Sequence, residues 1–337
     1  MTPFRTLRAL AAASLLMAGA SGAQAEVGQV RISKGFGILY LPLIVMEDQK
    51  LLESRAEKAG LGPLKVEWLT LDGGNVINDA MMTGALDFAG IGAPGFITLW
   101  SKAKGIPKVE VVGVSGMSST SLWLNTNKAS ITGLKDFTSA DKIAIPGIRT
   151  SLAAVVLEMM VAKEFGRENY GKLDPLTVGL AHPDGVAALI GGKTEITAHF
   201  TSPPFQYLEV KSPNIRRVAN SVDYLGGITL DVTFAPKRFV DANPKTTQAF
   251  LDALDDANAL IAADKRKAAE IFVRSSKVKV DVDEVLKMLE DPDTRFSTTP
   301  TGMMQFADFM QLSGTIKTKP AVWSEMFLPA LQGRPGS

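Results

Sequence analysis

The 337-residue chain has no cysteine and only two histidines. The first absence excludes a disulfide framework and the lipid-bearing cysteine of a bacterial lipoprotein. Two histidines without a thiol leave no dedicated metal site to expect. No charge of one sign dominates: 36 Lys plus Arg stand against 35 Asp plus Glu. A polyanionic partner such as nucleic acid is therefore not implied. The densest basic run, Lys265-Arg266-Lys267, has no interleaved aromatics and reads as the solvated face of a helix. Enzyme signatures are missing too, with no HExxH, no P-loop and no GxSxG elbow. Neither a catalytic residue nor a cofactor is expected.

One segment does match the literal dinucleotide pattern, Gly90-Ile91-Gly92-Ala93-Pro94-Gly95. Pro94 removes a backbone N–H where a pyrophosphate loop needs donors, and Glu110 falls inside a strand rather than at its end. The pattern is therefore read as a strand followed by a turn.

What is present begins with an export signal. Arg5 and Arg8 precede an apolar run over 9–18, and Ala23-Gln24-Ala25 supplies small residues before a cut ahead of Glu26. That run is well short of the roughly 20 residues that span a bilayer, and no later run is longer or cleaner. Residues 1–25 are thus expected to be a signal peptide, and the mature chain to be periplasmic.

From residue 27 onward, strand and helix patterns alternate with short connections. A recurring phrase punctuates them: an apolar helix end, a glycine, an acid, then a short strand. It occurs as Met81-Met82-Thr83-Gly84-Ala85-Leu86-Asp87-Phe88-Ala89 and again as Leu189-Ile190-Gly191-Gly192-Lys193-Thr194-Glu195-Ile196-Thr197. Glycine after a helical run supplies the left-handed cap that lets the chain turn into a strand. Two copies predict two similarly built α/β lobes, each a mainly parallel sheet flanked by helices. The small-residue stretch 115–120 reads as a hinge, and the last hundred residues as mostly helical.

The opening Gly35-Phe36-Gly37-Ile38-Leu39-Tyr40-Leu41-Pro42, then Gly73-Gly74-Asn75, Gly84-Ala85-Leu86-Asp87-Phe88, Leu134-Lys135-Asp136-Phe137, Lys142-Ile143-Ala144-Ile145-Pro146-Gly147 and Asn243-Pro244 come in a characteristic order. Together with the leader, they resemble the nitrate, sulfonate, taurine and thiamine-precursor group of periplasmic solute-binding proteins that serve ABC importers. The resemblance runs over nearly the whole mature chain. It implies a two-lobed periplasmic binding protein fold, with lobe 1 at 26–115 plus 237–337 and lobe 2 at 116–236. It also implies a small-molecule ligand between the lobes, docking on an inner-membrane permease, and a chain that acts as a monomer. Glu195 departs from the aspartate usual in the second phrase, and residues 197–204 are more polar and aromatic than usual.

Sheets of this kind bind ligands beyond the carboxyl ends of their strands. The candidate ligand residues therefore come from the loops there. Gly147-Ile148-Arg149-Thr150-Ser151 lies between a strand and a helix N-terminus, where unpaired N–H groups favour an anion and Arg149 could clamp it. Phe36, Gly37 and Tyr40 follow the first strand, and Gly74 and Asn75 the second; Gly92, Ala93 and Ser115 lie in similar loops. His199 and Ser202 end the strand after the second glycine phrase, whereas His182, ahead of Pro183, reads as a loop residue. Arg149 favours a sulfonate, taurine or carboxylate; Phe36, Tyr40 and Phe200 suit a planar heteroaromatic such as a thiamine precursor. An exported enzyme on the same fold, or a sensor subunit for a membrane receptor, are the competing readings. A fungal thiamine-pyrimidine synthase on this fold uses a cysteine-rich motif that this chain lacks.

Overall fold

A computed structural model describes residues 26–337 apart from 72, 150 and 277. The expected signal peptide and Thr150 lie outside the described residues. The chain forms β1 (Gln29–Lys34), β2 (Lys65–Thr70), β3 (Phe88–Gly92), β4 (Val111–Ser119), β5 (Trp123–Thr126), β6 (Ile143–Ile145), β7 (Thr177–Gly179), β8 (Ala198–Thr201), β9 (Arg216–Asn220), β10 (Asp231–Pro236) and β11 (Arg295–Phe296), with helices between most of them. Two sheets result, ordered β11-β4-β10-β3-β1-β2 and β7-β6-β8-β5-β9.

Both glycine phrases act as expected. Gly84 (φ 75°) and Gly192 (φ 60°) take the left-handed conformation behind the helices Gly74–Met82 and His182–Gly191. In the first copy the acid has a further role. The Asp87 carboxylate accepts from the Arg31 backbone N–H at 2.8 Å, from Nε at 3.0 Å and from Nη2 at 2.9 Å, tying β3 to β1. Glu195, its counterpart, is exposed.

The sheets are mixed rather than mainly parallel. β1 pairs parallel with β2 and β3, and β6 with β7 and β8. β10 runs antiparallel to β3 and β4, and β5 antiparallel to β8 and β9. The cause is topological. β5 and β10 are the first strands after the chain passes from one sheet to the other, so they start at the edge where the parallel strands finish and run away from it. β10 lies within the 116–236 span expected for the second lobe, yet it hydrogen-bonds in the first sheet.

The 115–120 stretch is strand rather than hinge. Ser115 pairs with Thr233, Gly116 with Val232 and Ser119 with Arg295, so β4 continues to Ser119 and only residues 120–122 cross. Its small residues answer to crowding. A Cβ on Gly116 would sit 2.9 Å from backbone atoms of Ser297 and Pro300, and Gly113, just ahead of the stretch, is covered by the Phe327 ring.

The apolar face of the first sheet is covered by helices, as its buried aromatics show. Phe88 of β3 stacks on Phe250 of the helix Pro244–Ala263 at 4.2 Å between ring centres, and Phe96 packs near Phe234 and Phe327. Because the atoms facing Gly116 are backbone, they cannot rotate aside. Gly116→Ala should destabilise the chain by about 1–3 kcal/mol, the usual range for overpacking, read as a lowered denaturation midpoint with an unchanged urea m-value.

Candidate functional site

The carboxyl ends of the parallel strands from both sheets meet at one cavity of about 60 Å³. The first sheet supplies Phe36, Leu39 and Tyr40 beyond β1, Gly73, Gly74 and Ile77 beyond β2, and Ile91 and Gly92 at the end of β3. Asp231, the first residue of β10 and paired with Gly92, adds a carboxylate. The second sheet supplies Pro146 beyond β6, His182 beyond β7, and Thr201 and Ser202 at the end of β8. Ser151, Leu152 and Ala153 at a helix start, and Leu122 from the first crossing, complete the wall.

Backbone contacts hold the two halves together here. The Ile38 N–H donates to the Pro203 carbonyl at 3.1 Å, and a Cβ on Gly37 would lie 2.8 Å from that same oxygen. A Cβ on Gly92 would lie 2.8 Å from the Leu152 Cβ of the opposite half. Both glycines therefore serve the approach of the two halves. Tyr40 is fixed in the same way, its ring lying where a Cβ on Gly35 would be, 2.6 Å away.

Of the residues proposed from sequence, Phe36, Tyr40, Gly74, Gly92, Ser151 and Ser202 line this cavity. Six do not. Gly37 is spent on the Pro203 contact, and Asn75 is exposed on a helical first turn. The Ala93 N–H donates to the Leu230 carbonyl at 2.7 Å, and the Ser115 hydroxyl lies 2.6 Å from that of Thr233 inside the first sheet. His199 is fully buried one layer behind the wall.

Arg149 is the sixth. It is exposed, with a left-handed backbone at φ 68°. Its charge is felt by Glu158 and Asp174, both of whose carboxyls it pulls down against the upward push of burial. Burial wins. Glu158, on the helix Leu152–Phe165, is pushed up to about 8 by desolvation and then by the Asp174 charge, with Arg149 opposing. Ser151 keeps a structural task as well, since its hydroxyl caps that helix by accepting from the Ala154 N–H at 3.1 Å.

Sequence reasoning missed Asp231 and His182. Asp231 is masked as the polar head of an apolar strand, and His182 as a residue of a turn. Behind His182 stands a buried chain of polar groups. Its Nδ1 lies 2.8 Å from the Thr201 hydroxyl and 3.4 Å from His199 Nε2. His199 Nδ1 lies 2.5 Å from a Glu209 oxygen, and the other Glu209 oxygen accepts from Asn125 Nδ2 at 2.8 Å. Burial pushes His182 down to about 3, and the His199 charge adds to that, so at neutral pH its ring carries no charge. Among the described residues no cluster of His, Asp or Glu is arranged to hold a metal, and no helix is long and apolar enough to cross a membrane.

No protein-family model matches the sequence, and no curated relative does. Solved structures do. The alkanesulfonate-binding protein SsuA from Xanthomonas axonopodis pv. citri, bound to MOPS, superposes with a TM-score of 0.67 at 18% identity, covering 87% of this chain and 96% of that one. The nitrate-binding protein NrtA from Synechocystis PCC 6803 gives 0.68 at 16% identity, covering 89% and 84%. The fold is that of the periplasmic solute-binding proteins. The aliphatic sulphonate binding protein SsuA from Escherichia coli agrees, with a TM-score of 0.66 at 15% identity over 89% of this chain and 99% of its own. The periplasmic binding protein fold therefore spans nearly all of the described chain.

Glu158 gives a pH test of the second half of the molecule. A carboxyl raised from 4.5 to about 8 binds a proton in the folded chain that the unfolded chain has already released. Its stabilising effect is complete below 4.5 and is lost as pH rises toward 8. Glu158→Gln should therefore gain stability relative to the parent across that window and show no gain below it, checked by urea denaturation at stepped pH.

Proposed function

We propose that this chain is a periplasmic, monomeric solute-binding protein that captures a small organic compound between two lobes and delivers it to an ABC permease in the inner membrane. The lobes are assigned as 26–119 with 231–337, and 120–230, from sheet membership. One observation carries the reading: parallel strands of both sheets end at one cavity with an apolar, aromatic wall on one side and hydroxyls and an imidazole on the other. That is the composition of a small-molecule site, where apolar contact supplies affinity and a few polar groups fix orientation.

The ligand class follows from charge. Among the described residues no lysine or arginine lines the cavity, whereas the Asp231 carboxylate, 1% exposed, does. A simple monoanion would bring a second negative charge beside that carboxylate. A small planar compound with an amino group is the better fit. The amine faces Asp231, and the ring lies against Phe36 and Tyr40. An aminopyrimidine of the thiamine-precursor type has this chemistry. The organic-anion reading retains one support, the helix start at Ser151 beside the exposed Arg149.

A thermal-shift screen separates these readings. Aminopyrimidines are expected to raise the melting temperature with 1:1 stoichiometry and to be recovered unchanged, while nitrate and simple alkanesulfonates have no effect. Taurine, which joins an ammonium to a sulfonate, tests whether the amine alone suffices. An upshift confined to anions that vanishes in Arg149→Ala would replace the amine reading with the anion reading, and product formation would replace binding with catalysis. Asp231→Asn should weaken the best amino compound at least tenfold by isothermal titration, because a charged hydrogen bond is lost inside the cleft.

A further inference from the structure

We infer that the buried Glu209–His199 pair fixes the tautomer of His182, so that His182 presents its Nε2–H to the cleft and selects ligands with a hydrogen-bond acceptor at that point. The inference deepens the solute-binding reading and rests on it only for the word ligand.

His182 Nδ1 and His199 Nε2 lie 3.4 Å apart. Two nitrogen lone pairs cannot face each other there, so one nitrogen carries the hydrogen. If it is His182 Nδ1, then His182 Nε2 offers a lone pair to the cleft. If it is His199 Nε2, then His182 Nδ1 accepts and its own hydrogen sits on Nε2.

Glu209 decides between them. Glu209 and His199 are both fully buried, and the Glu209 oxygens meet His199 Nδ1 and the uncharged Asn125 amide. With only one hydrogen on the pair, a net negative charge would be buried with no cation among its contacts. With a second hydrogen on His199 Nε2, the pair is net neutral. Buried charge is tolerated when it is compensated in this way. His199 Nε2–H then points to His182 Nδ1, whose single lone pair it shares with the Thr201 hydroxyl at 2.8 Å in a three-centre contact.

Packing holds the rings in place. His182 stacks on Phe205 at 5.1 Å with 20° between planes, and the nitrogen edge of His199 fills the space a Cβ on Gly185 would need, 2.7 Å away. Among the described residues, His182 Nε2 has no hydrogen-bond partner, while its ring forms part of the cavity wall. A ligand acceptor is what completes it. Set across the cleft from Asp231, this asks for a compound with an acceptor on one edge and a donor on another, as an aminopyrimidine has. His182 is thus a binding residue, and Glu209 and His199 are positioning residues.

The test needs no ligand, because the chain has only two histidines and a histidine-selective 15N spectrum therefore holds only two rings. In the unliganded full-length mature protein at neutral pH, His182 should appear neutral with its hydrogen on Nε2, and His199 should carry a hydrogen on Nε2. In Glu209→Gln the amide oxygen stays toward Asn125 Nδ2 and the NH2 donates to His199 Nδ1, so His199 should lose its Nδ1 hydrogen, shifting that resonance from the protonated to the unprotonated range, while His182 keeps its hydrogen on Nε2. A parent His182 protonated on Nδ1, or a His199 that keeps both ring hydrogens in folded Glu209→Gln, overturns the inference. If that variant does not fold, the parent spectrum alone decides. Failure of every compound in the thermal screen would count against the solute-binding reading and leave this spectrum as it is.

Discussion

The arrangement depends on one constraint: the chain passes between the sheets at the edge where the parallel strands of both sheets end. A strand entering a sheet at that edge can only run away from it, so β5 and β10 are antiparallel to the strands they join. The same constraint puts the first residues after each crossing beside the cavity. Leu122, just before β5, and Asp231, at the head of β10, line it for this reason. A charged residue at the start of a buried strand would be costly elsewhere. Here it faces the cleft.

The two halves contribute different chemistry because their loops differ. Beyond β1, β2 and β3 the chain offers glycines and apolar rings, which allow close approach and give a flat wall. Beyond β7 and β8 it offers His182, Thr201 and Ser202, backed by His199 and Glu209. A compound gripped by both walls would stabilise the closed arrangement over any open one by its differential contacts. The backbone bond from Ile38 to Pro203 already holds the halves in register without a ligand. Side chains at Gly37 or Gly92 would keep them apart.

Much of this was legible in the sequence, and the failures have physical causes. The glycine phrases, the alternation of strand and helix and the helix opened by Pro244 all appear where local chemistry puts them, because capping and φ preferences act within a few residues. Strand direction does not act locally. Nothing within β5 or β10 states which way a neighbour runs. The stretch 115–120 misleads because small residues serve two purposes: at Gly116 the missing side chain admits the Ser297 and Pro300 backbone rather than freeing the chain. Among site residues, Phe36, Tyr40, Gly74, Gly92, Ser151 and Ser202 were found from loop position alone. Asp231 and His182 were not, since their place depends on the pairing of β10 with β3 and on a contact across 17 residues of chain.

Arg149 shows why a motif does not fix a contact. A cation next to a helix start suggests anion binding, yet the left-handed turn leaves this arginine exposed, near the Glu158 and Asp174 carboxyls. Its favourable interaction is thus made within its own half of the molecule. Among the described residues that line the cleft, Asp231 is the acidic one and none is a lysine or arginine. The neutral state of His182 follows from the same economy of charge. Burial disfavours a charge on that ring, so under the proposed reading the imidazole acts through hydrogen-bond direction rather than through charge. Under the proposed reading, a carboxylate on one wall and directed dipoles on the other would sort small rings by where their donors and acceptors lie.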